Sequence, residues 1–235
     1  MIGEAVILAG GRGERMQGVL PGIPKPMAPV RGKPFLEYLL SFLRRNGIHK
    51  VILSVGYHHN QIRAYFGTRT CDLDIVYARE KEPLGTGGGL MNAMRYVTGR
   101  QTFVLNGDSY FDIDLGKFYE FASLKGAEVC IALAYVSSSG RYGTVEMDAN
   151  QRITGFREKN KSAAPGYINA GIYIMDRSFA GHTAERKSFS LEKEYFEQHF
   201  RDTLMFGFQA DAYFIDIGVP EDYRKAQDEF KRFEY

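Results

Sequence analysis

The chain opens on a short apolar run, Ala5-Val6-Ile7-Leu8-Ala9, which stops at Gly10 in the manner of a strand buried on both faces. Pro34 then introduces Phe35 to Leu43, where apolar residues recur at helical spacing. Gly47 closes that segment, in keeping with Pro early in a helix and Gly just past its end. The alternation continues. Val51 to Val55 predicts a strand, Asn60 to Phe66 a short helix, Leu73 to Tyr77 a strand, Gly87 to Val97 a helix and Thr102 to Leu105 another strand. Repeated strand–helix units imply a mostly parallel sheet with helices on both faces and right-handed crossovers. After a helix predicted over Leu115 to Leu124, strand-like runs crowd together at Val129 to Val136, Gly143 to Met147, Arg152 to Arg157 and Ile168 to Met175. That second half predicts mixed or antiparallel sheet added to the first. Pro220 through Phe233 predicts a closing helix with Pro at its start.

No repeat, low-complexity tract or Pro/Ser-rich linker interrupts the pattern, so the 235 residues read as one domain with a sizeable core. The formal net charge of +2 gives no bulk electrostatic case for nucleic acid or an anionic membrane. No apolar stretch approaches the roughly 20 residues that span a bilayer. Met1-Ile2-Gly3-Glu4 carries no basic segment of a signal peptide, so the expected location is the cytoplasm. Cys71 and Cys130 fall in strand-like segments and read as buried or half-buried free thiols of a reducing compartment.

Ligands of such sheets bind outside the carboxyl ends of the strands, and the unusual residues of this chain stand there. Gly10-Gly11-Arg12-Gly13-Glu14-Arg15-Met16 follows the first strand. Its glycines let the backbone approach a ligand and turn N–H groups toward an anion. Met16 stands where a dinucleotide fingerprint has its last glycine, and no Gly-Lys-Ser/Thr follows, which disfavours a dinucleotide oxidoreductase and a P-loop. Pro24 and Pro26 bracket Lys25, fix its backbone and suit it to a phosphate clamp. Asp108 in Leu105-Asn106-Gly107-Asp108 and Asp216 in Phe214-Ile215-Asp216-Ile217-Gly218 read as oxygen ligands for Mg²⁺. Asp216 lies in an otherwise apolar strand and needs a partner there. Asp112 and Asp114 read as helix-capping or exposed, Glu80 and Glu82 as exposed loop carboxylates, and His58-His59 as a loop or helix start rather than a metal site.

With these motifs in this order, the chain resembles the sugar-1-phosphate nucleotidyltransferase family, whose signatures appear as Gly10-Gly11-Arg12-Gly13-Glu14-Arg15-Met16 and Pro24-Lys25-Pro26. Further matches are Glu82-Pro83-Leu84-Gly85-Thr86-Gly87-Gly88, Leu105-Asn106-Gly107-Asp108, Glu158-Lys159, Asn169-Ala170-Gly171-Ile172-Tyr173 and Asp216 to Tyr223, so nearly the whole chain is covered. Lys33-Pro34-Phe35-Leu36-Glu37 and Arg141-Tyr142-Gly143-Thr144-Val145 resemble the branch of bacterial D-glycero-α-D-manno-heptose 1-phosphate guanylyltransferases. Arg12, Glu14 and Met16 depart from the usual signature, and the C-terminal β-helix of longer relatives is absent. Ser190-Leu191-Glu192-Lys193-Glu194 resembles a helix of guanylyltransferase relatives and equally fits a solvated amphipathic helix.

The resemblance implies a three-layer α/β/α sandwich with a mostly parallel, Rossmann-like mixed sheet. Residues 1–125 form its nucleotide-binding half and 126–235 its sugar-binding half. It implies that GTP and heptose 1-phosphate give GDP-heptose and pyrophosphate for surface polysaccharide synthesis. Arg15, Lys25 and Asp108 are then catalytic, and Leu8, Ala9, Gly10, Gly11, Gly13, Glu80, Gly85, Thr86, Asn106 and Gly107 bind the nucleotide. Tyr142, Gly143, Glu158, Lys159 and Asn169 hold the sugar phosphate, while Asp108 and Asp216 hold Mg²⁺. Mannose 1-phosphate with GTP, N-acetylmuramate 1-phosphate with UTP, and a catalytically silent nucleotide-sugar sensor stay open as alternatives. So does a homodimer through flat helical surfaces.

Overall fold

Side chains alternate across the pleat of a strand, and in the first strand both faces are apolar. In β1 (Glu4–Leu8), Ala5 and Ile7 enter one hydrophobic core and Val6 the other. The computed structural model describes residues 2–11, 13, 16, 18–140, 142–157, 164–183 and 186–233. After β1 a 3₁₀ turn at Lys25–Met27 and a hairpin, β2 (Pro29–Val30) with β3 (Lys33–Pro34), deliver the chain to α1 (Phe35–Arg45). Extended Pro34 starts α1, and Gly47, at φ +80°, lets the chain leave it. The units β4 (Lys50–Val55), α2 (His59–Phe66), β5 (Arg69–Thr70), β6 (Leu73–Arg79), α3 (Gly85–Met94) and β7 (Gln101–Asn106) follow in order. Next come β8 (Ser109–Phe111) and α4 (Leu115–Leu124).

The second half is antiparallel-rich, as its crowded strand runs predict. It contains β9 (Val129–Val136), β10 (Thr144–Met147), β11 (Ile153–Arg157), β12 (Gly166–Asp176), α5 (Phe179–Thr183), a π-helical segment at Leu191–Phe196, α6 (Glu197–His199), β13 (Met205–Ala210) and β14 (Phe214–Asp216). The last helix, α7 (Pro220–Glu229), ends in a 3₁₀ turn at Phe230–Phe233.

Two sequence expectations are corrected. The third helix starts at Gly85 and stops at Met94 rather than spanning Gly87 to Val97, because Tyr96 and Val97 turn their N–H groups to carbonyls three residues back. Cys71 is exposed at φ +51° in the turn between β5 and β6, not in a strand. Cys130 is buried in β9, and burial pushes its thiol pKa up.

Among the described residues the main sheet has ten strands, with β1 at its centre between parallel β4 and β7. Parallel β6 lies outside β4, and antiparallel β12 lies outside β7, carrying β9 and β10. One face packs α1, α2, α4 and α7. The other packs α3, α5 and the π-helical segment, giving three layers. The chain runs from β1 out to β4 and β6, then returns to place β7 on the other side of β1. A crevice therefore opens at the carboxyl ends of β1 and β7, the switch point of the sheet. No helix among the described residues is long and apolar enough to cross a membrane.

At the opposite end of β1 the buried Glu4 carboxylate accepts from Lys50 Nζ (2.8 Å), Thr98 N–H (2.8 Å), Thr98 Oγ1 (2.9 Å) and Gly99 N–H (3.1 Å). Burial alone would raise its pKa, but the Lys50 bond and the backbone and hydroxyl donors together lower it to about 2. A depressed carboxylate stabilises the fold above its unfolded pKa and loses that contribution as the pH falls toward its folded pKa. Glu4→Gln is therefore expected to lower the unfolding free energy at pH 7 by roughly 2–3 kcal/mol, with the deficit shrinking between about pH 4.5 and 2. Urea unfolding at pH 7 and pH 3 checks this, and an equal deficit at both would contradict it.

Candidate active site

The carboxyl ends of β1, β4, β6 and β7 surround a cavity of about 820 Å³. Leu8, Ala9 and Gly10 carry the chain off β1 into its wall, and Ala9 N–H donates to Ser54 O at 2.8 Å. Each glycine here has its own neighbour. A Cβ on Gly10 would lie 2.4 Å from Glu80 Oε1, whereas one on Gly11 would touch no atom of the described residues. Gly13, at φ +63°, lies under the Lys25 stem, where a Cβ would come within 2.8 Å of Cγ.

Lys25, framed by its two prolines, donates from Nζ to Asp108 Oδ2 at 2.9 Å, with the two side chains 13% and 31% exposed. Asp108 occupies the tight link between β7 and β8. The preceding Gly107 N–H donates to Leu8 O at 3.0 Å, drawing the ends of β1 and β7 together. Antiparallel β14 pairs with β8 so that Asp216 stands opposite Ser109, and Ile217 N–H donates to the Asp108 carbonyl at 2.9 Å. Asp216 is thus the last residue of its strand rather than interior to it. Its Oδ1 accepts from Gly218 N–H at 2.7 Å, a turn that hands the chain to α7. Tyr223 Oη and Gln227 Nε2 of α7 then donate to the Pro29 carbonyl at 2.7 and 2.8 Å, so one helix steadies both Asp216 and the hairpin after Lys25.

Among the described residues no three His, Cys, Asp or Glu side chains converge as a metal cage. The carboxylates of Asp108, in the link before β8, and Asp216, at the end of β14 paired with β8, are a hard-oxygen donor set. It fits an ion such as Mg²⁺, which binds through one or two carboxylates and completes its shell with phosphate and water.

Glu80 leaves β6 with its carboxylate turned inward, accepting from Ser54 Oγ at 3.0 Å and from Leu84 N–H at 3.2 Å. Glu82 is exposed and pairs with Lys187 instead. Gly85, at φ +70°, begins α3 against the Phe189 carbonyl, from which a Cβ would be 2.4 Å away. Thr86 Oγ1 donates to Glu192 Oε2 and accepts from Leu191 N–H, both at 2.8 Å. The Ser190-to-Glu194 stretch is therefore a π-helical turn docked on the start of α3, with Ser190 as its cap, and not a freely solvated helix. Asn106 ends β7 with Nδ2 3.5 Å from Tyr173 Oη, a phenol whose pKa burial pushes far up.

All of Leu8, Ala9, Gly10, Gly11, Gly13, Lys25, Glu80, Gly85, Thr86, Asn106, Gly107 and Asp108 line the cavity. Tyr142, Gly143, Asn169 and Asp216 do not. Tyr142 packs its ring 6.0 Å from that of Phe214, Gly143 sits against the Arg157 carbonyl, and Asn169 Oδ1 accepts from Gly171 N–H at 2.9 Å. Arg12, Glu14, Arg15, Arg141, Glu158 and Lys159 lie outside the described residues. Asp114 caps α4 through Lys117 N–H at 3.0 Å, while Asp112 pairs with Arg45.

Ser54, Tyr57, His59 and Arg79 also line the cavity, although the sequence patterns gave them no role. Ser54 alone carried a signal, as the one polar residue in the apolar run Val51 to Val55. His59, the first residue of α2, has its pKa lowered by burial first and then by Arg79 and Arg63.

A glycine-rich strand-end loop, a lysine paired with Asp108 and the inward Glu80 carboxylate line one crevice at the switch point of the sheet. The chain belongs to the nucleotidyl transferase family, whose model matches residues 4–232. It is 42% identical to a D-glycero-α-D-manno-heptose 1-phosphate guanylyltransferase of Aneurinibacillus thermoaerophilus, over 98% of this chain and 99% of that one. A protein of the same description from Campylobacter jejuni is 40% identical over 94% of this chain and 96% of its own. The crystal structure of HddC from Yersinia pseudotuberculosis superposes with a TM-score of 0.87 at 33% identity, covering 99% of this chain and 100% of that one. The same protein complexed with GMP-PN gives 0.85.

Gly85→Ala combines a left-handed backbone with a clash against the Phe189 carbonyl, and is expected to lose about 2–3 kcal/mol of stability. Gly11→Ala meets no atom of the described residues and is expected to stay within about 0.5 kcal/mol of the wild type. Chemical denaturation of both variants checks the contrast, and equal stabilities would contradict it.

Proposed function

We propose that the protein transfers a guanylyl group from GTP to D-glycero-α-D-manno-heptose 1-phosphate, giving GDP-heptose and pyrophosphate. The observation that carries this reading is the identity of 40–42% over nearly the whole length of two heptose 1-phosphate guanylyltransferases. The cavity supports it, since its wall of bare backbone, Lys25 and Glu80 suits a phosphorylated purine.

In the reaction a sugar-phosphate oxygen attacks the α-phosphorus of GTP, and the bond from that phosphorus to the β-phosphate oxygen breaks in line. The electron pair leaves with pyrophosphate, and no covalent protein intermediate forms. Catalysis is positioning and charge neutralisation. The amides of Gly11 and Gly13 with Arg15 and Lys25 hold the departing pyrophosphate, and Lys159 holds the sugar phosphate against the repulsion between two anions. Leu8, Ala9, Gly10, Asn106, Gly107, Gly85 and Thr86 flank the nucleoside. The Glu80 carboxylate accepts the adjacent N1–H and N2–H donors of guanine. Glu158, Asn169 and the Gly143 backbone bond the sugar hydroxyls beside Tyr142. Asp108 and Asp216 would hold Mg²⁺, which supplies charge neutralisation at the phosphates. The reaction belongs to the cytoplasm, where nucleoside triphosphates are made available, and the product feeds surface polysaccharides.

Pyrophosphate release screened with GTP, ATP, UTP and CTP against heptose, mannose, glucose and N-acetylmuramate 1-phosphates tests the reading. GTP with heptose 1-phosphate is expected to give the highest kcat/KM, by tenfold or more over any other pair, on the order of one well-made contact. A higher value for UTP or for mannose 1-phosphate would overturn the assignment of base or sugar respectively.

A further inference from the structure

We propose that Ser54 is a specificity-setting positioning residue, whose buried hydroxyl fixes the Glu80 carboxylate in the plane that reads guanine. The inference rests on Glu80 being the guanine acceptor, and it adds what makes that acceptor selective.

Ser54 is 1% exposed, on β4 between β1 and β6, and is flanked by buried Leu53 and Val55. A hydroxyl in such a run needs a partner, because an unpaired one loses its water without compensation. Two acceptors are in reach, Glu80 Oε1 at 3.0 Å and the Gly89 carbonyl at 3.1 Å. The hydroxyl has one proton to give. Gly89 lies inside α3 with a helical donor four residues on, whereas the carboxylate is the stronger acceptor, so the proton goes to Glu80.

The surroundings make this bond decisive. The last torsion of a glutamate is broad and roughly two-fold, so rotamer preference does not set the plane of the carboxylate. Nor does a side chain pack against Oε1 from Gly10 or Gly89, where a Cβ would lie 2.4 and 2.9 Å away. The niche therefore consists of two bare backbone walls and two donors, Ser54 Oγ on Oε1 and Leu84 N–H on Oε2. Each oxygen uses one lone pair on its anchor and keeps the other for the base. Two parallel N–H···O bonds to guanine demand a carboxylate coplanar with the ring. Ser54 anchors one edge of that plane from a rigid strand, while Leu84 anchors the other from a loop.

The test compares kcat/KM for GTP and for ITP, which lacks the exocyclic amino group of guanine, in the wild type and in Ser54→Ala, Ser54→Cys and Glu80→Gln. Cysteine fills the space of serine but donates weakly, so it keeps the packing and removes the anchor. The wild type is expected to prefer GTP over ITP. Ser54→Ala and Ser54→Cys are expected to lower kcat/KM for GTP on the order of tenfold, mainly through KM, with a smaller loss for ITP, so that the GTP:ITP ratio falls. A purely structural serine would slow both nucleotides alike and leave the ratio unchanged, and that result overturns the proposal. Should alanine fail to fold, the ratio measured in the cysteine variant is sufficient. A lowered ratio in Glu80→Gln with a wild-type ratio in both Ser54 variants overturns the role of Ser54 only. A wild-type ratio in Glu80→Gln, or no GTP preference in the wild type, overturns the reading of Glu80 itself.

Discussion

Asp108 stands where three constraints of the fold meet. Its carboxylate takes the Lys25 ammonium at 2.9 Å, its carbonyl takes Ile217 N–H, and the glycine before it is bonded to the end of β1. The first contact pulls the Pro24-Lys25-Pro26 segment over the mouth of the crevice. The second brings in β14 and with it Asp216. The third closes β7 against the glycine loop. A half-buried ion pair contributes little to stability by itself. Its importance here is geometric, because together with the two backbone bonds it brings segments far apart in sequence to one point.

The glycines show how the same geometry constrains the sequence. A loop rich in glycine reads most simply as a cradle for phosphate, yet several of these residues are small because the protein itself comes close. Gly10 leaves room for Glu80, Gly13 for the stem of Lys25, and Gly85 and Gly87 for Phe189. Gly11 differs, since a side chain there would touch nothing among the described residues. The polar pieces of the site are thus held by close backbone approaches, and the approaches need glycine.

The strands were legible because strands buried on both faces are continuous apolar runs, and the cavity was legible because its residues follow those runs. What escaped involved contacts between distant segments. The π-helical turn at Leu191–Phe196 is docked by Thr86, more than a hundred residues earlier, and no local periodicity announces it. The left-handed turn at Cys71 contains no glycine to mark it, so it passed for strand. Ser54 passed as part of an apolar strand, because its partner Glu80 lies just past the next strand of the sheet. Tyr142, Gly143 and Asn169 carried family likeness, and they sit on the second half, away from the cavity wall.

In the proposed reaction Asp108 and Asp216 act as one metal-holding unit. Pyrophosphate release by Asp108→Asn, Asp216→Asn and the double variant, measured with GTP and heptose 1-phosphate across a magnesium titration, tests it most directly. Each single change is expected to lower kcat by roughly 10²–10³-fold, with the double variant within a few-fold of the weaker single, because removing either carboxylate dismantles the same unit. Wild-type rates in a single variant, or a double-variant loss equal to the product of the two, would contradict it.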